Sequence, residues 1–583
     1  MHNFRFPAFL FLTACLIGFL LPVIARSGPA YQTLQRVPPD SIIVLSIDGQ
    51  NFISKSGILK NPKWNPLFDR LNKTGSPLRS WLSDSNSSGI EWKEPVQFFI
   101  RLIEGEHPHP QFGAIARATS PEEADRAMSD LAGFLGLRPS KNNSKVYQRT
   151  TQPFAIGREG DFCFLLGNIL LQKNGNFPIS NQDLEEFIST LSPSFQPPGM
   201  PAPLAKHSGH SADLALYLEG TGNGRMVEEW QGNTLIESIL PLFDSLFLDS
   251  FGLLFQSQPG NLQIEVRNYT DEQTNPVAKI NRLKIIDQLP GDAPLVARIS
   301  LPEQEFHNFL GQAVDMALKL FSANKWGADT NLPGFDLTAR KLLRFPSGDF
   351  VFAGGSYRTE QITLPNGQAI SQTHPVWATG MKISQPLAFR ELLAGMNAGL
   401  SLKSLLDAHG LRLTEGKDCA WLSTPEYARE FKLGNAIEPL AFNRRKLLNN
   451  HAFALDFNPT AAARLLREPQ GLSFDQLKNI SWLDEFSNFN IKSNQKGNLL
   501  GSLKLSSADR QPWAVFIERL GQEWIDQINA RLFLAIARDD LNAVIEAVTM
   551  GALINTNDRF GHSPLHYAAY RGNVYIVDYL LRN

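Results

Sequence analysis

The sequence predicts an α+β chain: two tandem copies of a mixed, largely antiparallel sheet-and-helix module at residues 30–285 and 286–520, followed by an all-α segment at 525–583. Three observations carry this reading. Short strand-like runs alternate with single amphipathic helices through the long middle of the chain, without the regular βαβ spacing of a doubly wound parallel sheet. Short segments recur in the same order in the two halves of that middle. The C-terminal residues carry apolar side chains at helical spacing in two hairpin-like units.

Composition bounds the rest. A chain of 583 residues that is 43% hydrophobic, with ten Trp and 39 Phe, has material for several cores and is not a disordered chain. Lys+Arg 55 against Asp+Glu 57 leaves a net charge of −2, so no nucleic-acid partner is expected. Three cysteines exclude a disulfide scaffold and a multi-cysteine zinc module.

Residues 1–25 read as a signal peptide. Arg5 precedes an apolar run from Phe6 to Ile24, and Val23-Ile24-Ala25 supplies small or modest side chains before Arg26. Two other forms stay open. Leu12-Thr13-Ala14-Cys15 has the layout of a lipoprotein box, and an uncleaved anchor would need only about 20 apolar residues. Each form places the remaining chain outside the cytoplasm, periplasmic or secreted, with membrane contact only through this N-terminal anchor or lipid.

The duplication rests on ordered matches. Val37-Pro38-Pro39-Asp40 and the strand-like Ile42–Ile47 return as Leu289-Pro290-Gly291-Asp292 and Leu295–Ile299. Glu159-Gly160-Asp161-Phe162-Cys163 matches Glu415-Gly416-Lys417-Asp418-Cys419. Leu248-Asp249-Ser250-Phe251 matches Leu483-Asp484-Glu485-Phe486, and Gly260-Asn261-Leu262 matches Gly497-Asn498-Leu499. Cys163 and Cys419 therefore belong on equivalent elements, as buried small hydrophobes or as the two ends of a disulfide between copies.

Within the first copy, Val96, Phe98, Ile100 and Leu102 alternate as in a strand, and Glu104–Pro108 turns the chain into a second strand near Phe112–Ala118. Ser120-Pro121-Glu122-Glu123 is a helix start with a cap, a first-turn proline and a capping-box glutamate. Gly136 ends that helix. Further strands are expected at 161–166, 214–218 and 262–266, and Ser192–His210 reads as an exposed loop. The Pro-x-Asp opening and Ile47-Asp48 resemble the start of uncharacterised bacterial envelope proteins, a resemblance that implies an extracytoplasmic site and no activity.

The C-terminus is more specific. Asp558-Arg559-Phe560-Gly561-His562-Ser563-Pro564-Leu565-His566-Tyr567-Ala568-Ala569, continued by Gly572 to Leu581, resembles an ankyrin repeat with Ser in place of the usual Thr. Gly561 permits the tight turn, Ser563 caps the first helix, Pro564 occupies its first position and Gly572 ends it. Val574, Ile576, Val577, Leu580 and Leu581 supply the second helix's buried stripe. A degenerate repeat lies 33 residues earlier, with Asp539 standing where the next has Gly572. About three such repeats are needed to stand alone. The sequence is therefore expected to stop mid-array, or its open stripe to dock on the preceding domain.

Candidate chemistry is sparse. Ser322-Ala323-Asn324-Lys325 and Ser493-Asn494-Gln495-Lys496 fit a Ser-x-x-Lys pattern without partner motifs. Glu106-His107-Pro108-His109, and His207 with His210, read as solvated turn residues rather than metal ligands. Glu122-Glu123 and Glu185-Glu186 read as solvated helix faces. No catalytic residue, cofactor or metal is assigned, and whether the chain is an enzyme is left open, leaning against. The ankyrin resemblance implies a protein partner held by Arg559, Phe560 and His562 at the hairpin tip and by Tyr570 and Arg571 on the first helix. The alternative is an enzyme or small-ligand receptor with a pocket between the duplicated modules.

Overall fold

The structure is a computed structural model. It describes residues 32–73, 75–77, 80–81, 88–103, 109–140, 143–148, 154–168, 181–192, 212–219, 250–269, 282–289, 293–303, 345–363, 369–398, 410–416, 418–425, 440–467, 480–494, 498–558 and 560–583, with a few isolated positions between them. The expected leader at 1–25, the expected turn at 104–108, Ser322–Lys325 and most of Ser192–His210 lie outside the described residues. Among the described residues no helix is long and apolar enough to cross a membrane. The fold is mixed, with eighteen strands among the described residues and every described strand pairing antiparallel. The chain forms two compact units: Met1–Gly222 with Gly252–Pro259 and Asp509–Asn583, and Asn223–Phe251 with Gly260–Ala508.

The first unit begins with β1 (Ser41–Ile47), an aliphatic run buried along most of its length. Asp48 then caps α1 (Gly49–Ser56) by accepting the Asn51 N–H, and Gly57 at φ +60° closes it. After α2 (Asn65–Lys73), β2 (Val96–Ile103) and β3 (His109–Arg117) form the expected hairpin, with Gln97 opposite Ile115 and Ile103 opposite His109. Ser120 caps α3 (Pro121–Leu135) and also donates to the Glu123 carboxylate, while Gly136 ends the helix at φ +68°. Then come β4 (Arg138–Pro139), β5 (Val146–Gln148), β6 (Phe154–Glu159), β7 (Phe162–Asn168), α4 (Asn181–Leu191), β8 (Leu214–Leu218) and β9 (Phe251–Gln258).

The strand order in this unit is β8-β1-β2-β3-β7-β6-β5-β4. Adjacent β2 residues serve opposite faces. Phe98 packs against the core cluster that contains Ala124, Ala127 and Met128 of α3 with Trp64, Phe68, Trp81 and Trp92, whereas Phe99 meets Phe187 of α4 at 5.7 Å between ring centroids. Toward one end of the Phe99 face the core turns polar. Buried Arg101 donates to Gln111 over 2.9 Å, and Gln111 donates to Asn168 over 3.2 Å.

The second unit contains β10 (Asn261–Asn268), β11 (Leu295–Ser300), β12 (Pro346–Thr363), β13 (Ala369–Ile383), α5 (Pro386–Ala398), β14 (Arg412–Glu415), β15 (Cys419–Ser423), α6 (Phe442–Asn450), β16 (Phe453–Phe457), α7 (Pro459–Arg467), β17 (Phe486–Ser493) and β18 (Leu499–Leu505). Its strand order is β14-β15-β13-β12-β11-β16-β17-β18-β10. Ile286, Val296, Val351, Ala378, Trp421 and Ala454 build the core. Arg298 is fully buried there. It donates to the Leu448 carbonyl at 3.0 Å and pairs with Asp349 at 3.4 Å, yet burial still holds its pKa below the usual arginine value. Cys163 on β7 and Cys419 on β15 are both buried free thiols.

The C-terminal segment is helical: α8 (Pro512–Ala537), α9 (Leu541–Thr549), α10 (Pro564–Arg571) and α11 (Val574–Arg582). α8 runs unbroken for 26 residues, straight through 520–525, where the sequence suggested a junction. Its first half packs into the first unit's core through Ile517 and sets Trp513 against Phe52 in a tilted pair, ring centroids 5.3 Å apart. Gly521 lets Trp64 lie against the helix: a Cβ there would sit 2.9 Å from the indole nitrogen, which donates to the Ile517 carbonyl at 3.1 Å. The second half of α8 belongs to a separate core of Ile528, Leu532, Ile536, Val544, Ile576 and Leu580.

Candidate partner-binding surface

The helix ends show the repeat in the backbone itself. Asp540 caps α9 by accepting the Ala543 N–H at 3.0 Å, and Asn573, thirty-three residues later, caps α11 by accepting the Ile576 N–H at 3.2 Å. One residue before each cap the chain turns left-handed, at Asp539 (φ +55°) and Gly572 (φ +74°). Ser563 and His566 cap α10 reciprocally: the serine hydroxyl accepts the His566 N–H, and the Ser563 N–H donates to His566 Nδ1 at 3.1 Å. His566 thus bonds the turn that opens α10.

The hairpin between α9 and α10 is held by one carboxylate. Asp558 Oδ1 accepts the N–H groups of Phe560 and His562, each at 2.8 Å, and Oδ2 accepts the Tyr567 hydroxyl at 2.7 Å. Its own N–H donates to the His562 carbonyl at 2.9 Å, and Gly561 turns the tip at φ +83°. Partial desolvation opposes ionisation of Asp558, but the Tyr567 hydroxyl, the two backbone donors and nearby His562 outweigh it and hold the carboxyl below its usual pKa.

This frame presents most of the expected contact residues. Phe560 is 65% exposed at the tip beside His562, their ring centroids 6.4 Å apart, and Tyr570 is 88% exposed at the end of α10. His562 is itself exposed, with its ring 5.9 Å from Tyr567. Arg571 is exposed but engaged, pairing with Asp539 of the preceding repeat at 3.2 Å. Arg559 lies outside the described residues.

Two sequence expectations are corrected. Val574 and Leu581, placed in the buried stripe of α11, are 73% and 67% exposed; only Ile576 and Leu580 of that stripe are buried. Apolar spacing marks which face is oily, not whether a neighbour covers it. His207, expected at a solvated turn, is buried with its ring 5.8 Å from Tyr217. Sequence reasoning also passed over Tyr575, which is exposed on α11.

Other candidates take structural places. The Ser493 hydroxyl accepts the Phe453 N–H at 3.0 Å and its carbonyl contacts His451 Nδ1, while Gln495 and Lys496 are outside the described residues. Glu122, Glu123, Glu185 and Glu186 are all exposed on their helices. Among the described residues no group of three or more His, Cys, Asp or Glu side chains is placed to hold a metal ion.

No curated protein and no solved structure matches the chain. Residues 560–583 match the family model of the ankyrin repeat, so helices α10 and α11 carry a repeat of the kind that generally mediates protein–protein interaction.

Proposed function

We propose that this is a non-enzymatic, extracytoplasmic protein that holds a protein partner through its C-terminal ankyrin repeats. The observation that carries the proposal is the pairing of exposed Phe560 and Tyr570 with a hairpin made rigid by Asp558. An exposed Phe560 on a preorganised turn, with Tyr570 at the end of the helix that follows it, offers contact area at little entropic cost. The leader-like residues 1–25 support the extracytoplasmic placement.

The proposal takes the two α+β modules as copies of one ancestor. In support, β8-β1-β2-β3-β7 and β16-β11-β12-β13-β15 run in the same order, with Cys163 on β7 and Cys419 on β15. The match of Gly260-Asn261-Leu262 to Gly497-Asn498-Leu499 also makes Ile264 equivalent to Gly501, and these two residues lie directly opposite each other where β10 pairs with β18.

A photo-cross-linking residue at position 560 or 570 of the full chain, expressed in its own cells, tests the reading. One protein should be captured from both positions, and its co-purification with the full chain should be lost when residues 538–583 are deleted. Capture of nothing, or unchanged co-purification of the captured protein with the deletion variant, overturns it.

A further inference from the structure

The hairpin β12–β13 outruns the sheet it belongs to. β11 accompanies β12 only from Asp349 to Gly354, and β15 accompanies β13 only from Lys382 to Ala378. The two strands nevertheless stay paired for eight further residues each, from Ser356 opposite Val376 to Thr363 opposite Ala369. In the first unit, β2 runs only two residues past its last pairing with β1, at Arg101. β11 does not follow β12 outward, because the Ala293 carbonyl that would continue the ladder accepts the Arg444 guanidinium at 2.9 Å. A two-stranded ribbon of this kind is marginally stable by itself in water.

The two edges of the ribbon differ. The Trp377 carbonyl accepts the Thr424 N–H at 3.0 Å, so Trp377 turns its backbone groups to the outer side of β13. Backbone direction alternates along a strand, which puts Pro375 on the same outer edge, where it has no N–H to offer. Val376 faces β12, and directly opposed residues of an antiparallel pair face each other. Ser356, Arg358, Glu360 and Ile362 therefore bond toward β13, while Tyr357, Thr359, Gln361 and Thr363 turn N–H and C=O outward. No strand among the described residues lies along that side. Proline interrupts one edge, and the other is a template for strand addition.

We propose that the outer edge of β12 at Tyr357–Thr363 pairs antiparallel with the same edge of a second copy of this chain, joining two ribbons into one four-stranded sheet. The charges select both the occupant and the register. Centred on Thr359, the pairing sets Arg358 opposite Glu360 of the second copy, and symmetry repeats the pair. Moving the centre by one residue sets Arg358 opposite Arg358, or Glu360 opposite Glu360, and like charges directly opposed are destabilising. A segment whose charges complement each other about its own midpoint fits itself. Such an isologous contact closes at two chains. It involves no residue of the ankyrin segment, so the two readings stand or fall separately.

Sedimentation velocity of the full chain from about 1 μM to about 500 μM tests the proposal and should show a reversible monomer–dimer equilibrium. Thr359→Pro removes an outward N–H and spares the bonds to β13, so it should weaken association about tenfold or more. Arg358→Glu and Glu360→Arg should each weaken it about tenfold or more by opposing like charges, and an equimolar mixture of the two variants should associate again as a heterodimer. Recovery in the mixture separates a lost contact from a lost fold. A chain that stays monomeric throughout, a dimer that Thr359→Pro leaves at full strength, or reversal variants that do not associate when mixed overturns the proposal. So does a dimer that disappears when residues 538–583 are deleted, which would place the contact on the ankyrin segment.

Discussion

The indole N–H of Trp513 donates to a carboxylate oxygen of Asp213 over 2.9 Å, joining residues 300 apart in the chain. The same carboxylate accepts Lys55 Nζ at 2.6 Å and the Ser257 N–H at 2.6 Å. A single buried anion therefore ties α1, β9 and the start of α8 to the residue preceding β8. The base of the ankyrin segment is fastened to the first unit by a charged network as well as by apolar packing.

Removing that anion should be costly. Asp213→Ala leaves the Lys55 ammonium with the Ser257 carbonyl but no counter-charge in a site where it is only 21% exposed, a change expected to cost about 3 kcal/mol. Trp513→Phe removes one hydrogen bond and keeps most of the packing on Phe52, for about 1–2 kcal/mol. Urea unfolding of the full chain measures both. A smaller loss for Asp213→Ala than for Trp513→Phe would show that Lys55 escapes to water and that the ion pair is incidental.

The Asp558 turn should be acid-sensitive in a defined direction. The folded-state pKa is lowered, so the turn's ionised contribution is complete above the ordinary carboxylate value of about 3.9 and disappears as pH falls through the lower folded value. Amide hydrogen exchange at residues 558–567 should accelerate as pH drops below about 4, beyond the intrinsic pH dependence of exchange. In Asp558→Asn that extra acid limb should be absent and protection should already be reduced at neutral pH. An unchanged acid limb in the variant would assign the effect to another group.

Asp539 is a non-glycine residue at φ +55°, where the next repeat uses Gly572. Aspartate tolerates this region better than most residues, and its 3.2 Å pair with Arg571 is largely exposed and contributes little. Asp539→Gly should therefore change stability by no more than about 1 kcal/mol in either direction, whereas Asp539→Val should cost about 1–2 kcal/mol. Thermal melts of the two variants decide. Equal losses would mean that the Arg571 pair, not the backbone, sets the junction.

Local chemistry made several elements legible in the sequence. Ser120, Gly136, Ser563, Pro564 and Gly572 obey rules that need only a few neighbouring residues, and each sits at the helix end its type demands. The period of 33 likewise located both left-handed junctions. What stayed hidden depends on distant partners. Gly521 suggests a weak point in a helix, but it is a contact surface for Trp64, more than 450 residues away. The apolar stripe of α11 did not reveal that Val574 and Leu581 lack cover. His207 sits in a stretch rich in Pro, Gly and Ser, and its burial against Tyr217 depends on the fold around it.

Cys163 should be chemically silent in the native protein. Burial pushes its thiol up to about 12, with Arg158 only partly offsetting the effect. At neutral pH the thiolate population is negligible, and the sulfur is also out of reach of reagents. Alkylation followed by peptide mass spectrometry should find Cys163 unmodified until denaturant opens the first unit, then modified at a rate that follows unfolding. Rapid native labelling would place it in a segment that opens locally.

Gly521→Ala should distinguish a tight joint from a soft one. At an exposed helix-interior site this substitution stabilises by about 1 kcal/mol, because alanine restricts the unfolded chain more and suits a helix better. Here the added methyl would come within 2.9 Å of Trp64 Nε1 and 3.1 Å of Lys63 Cβ. The indole cannot simply retreat, because its N–H donates to the Ile517 carbonyl one turn earlier and Lys63 is held to Glu518 at 3.0 Å. Relief requires α8 to lift from the first unit, so the sign should reverse to a loss of about 1–3 kcal/mol. Hydrogen exchange should locate the damage in residues 512–524, while 528–537, buried in the separate repeat core, keep their protection. A net gain in stability with unchanged exchange would mean that Trp64 repacks freely and that the joint does not hold the ankyrin segment in place.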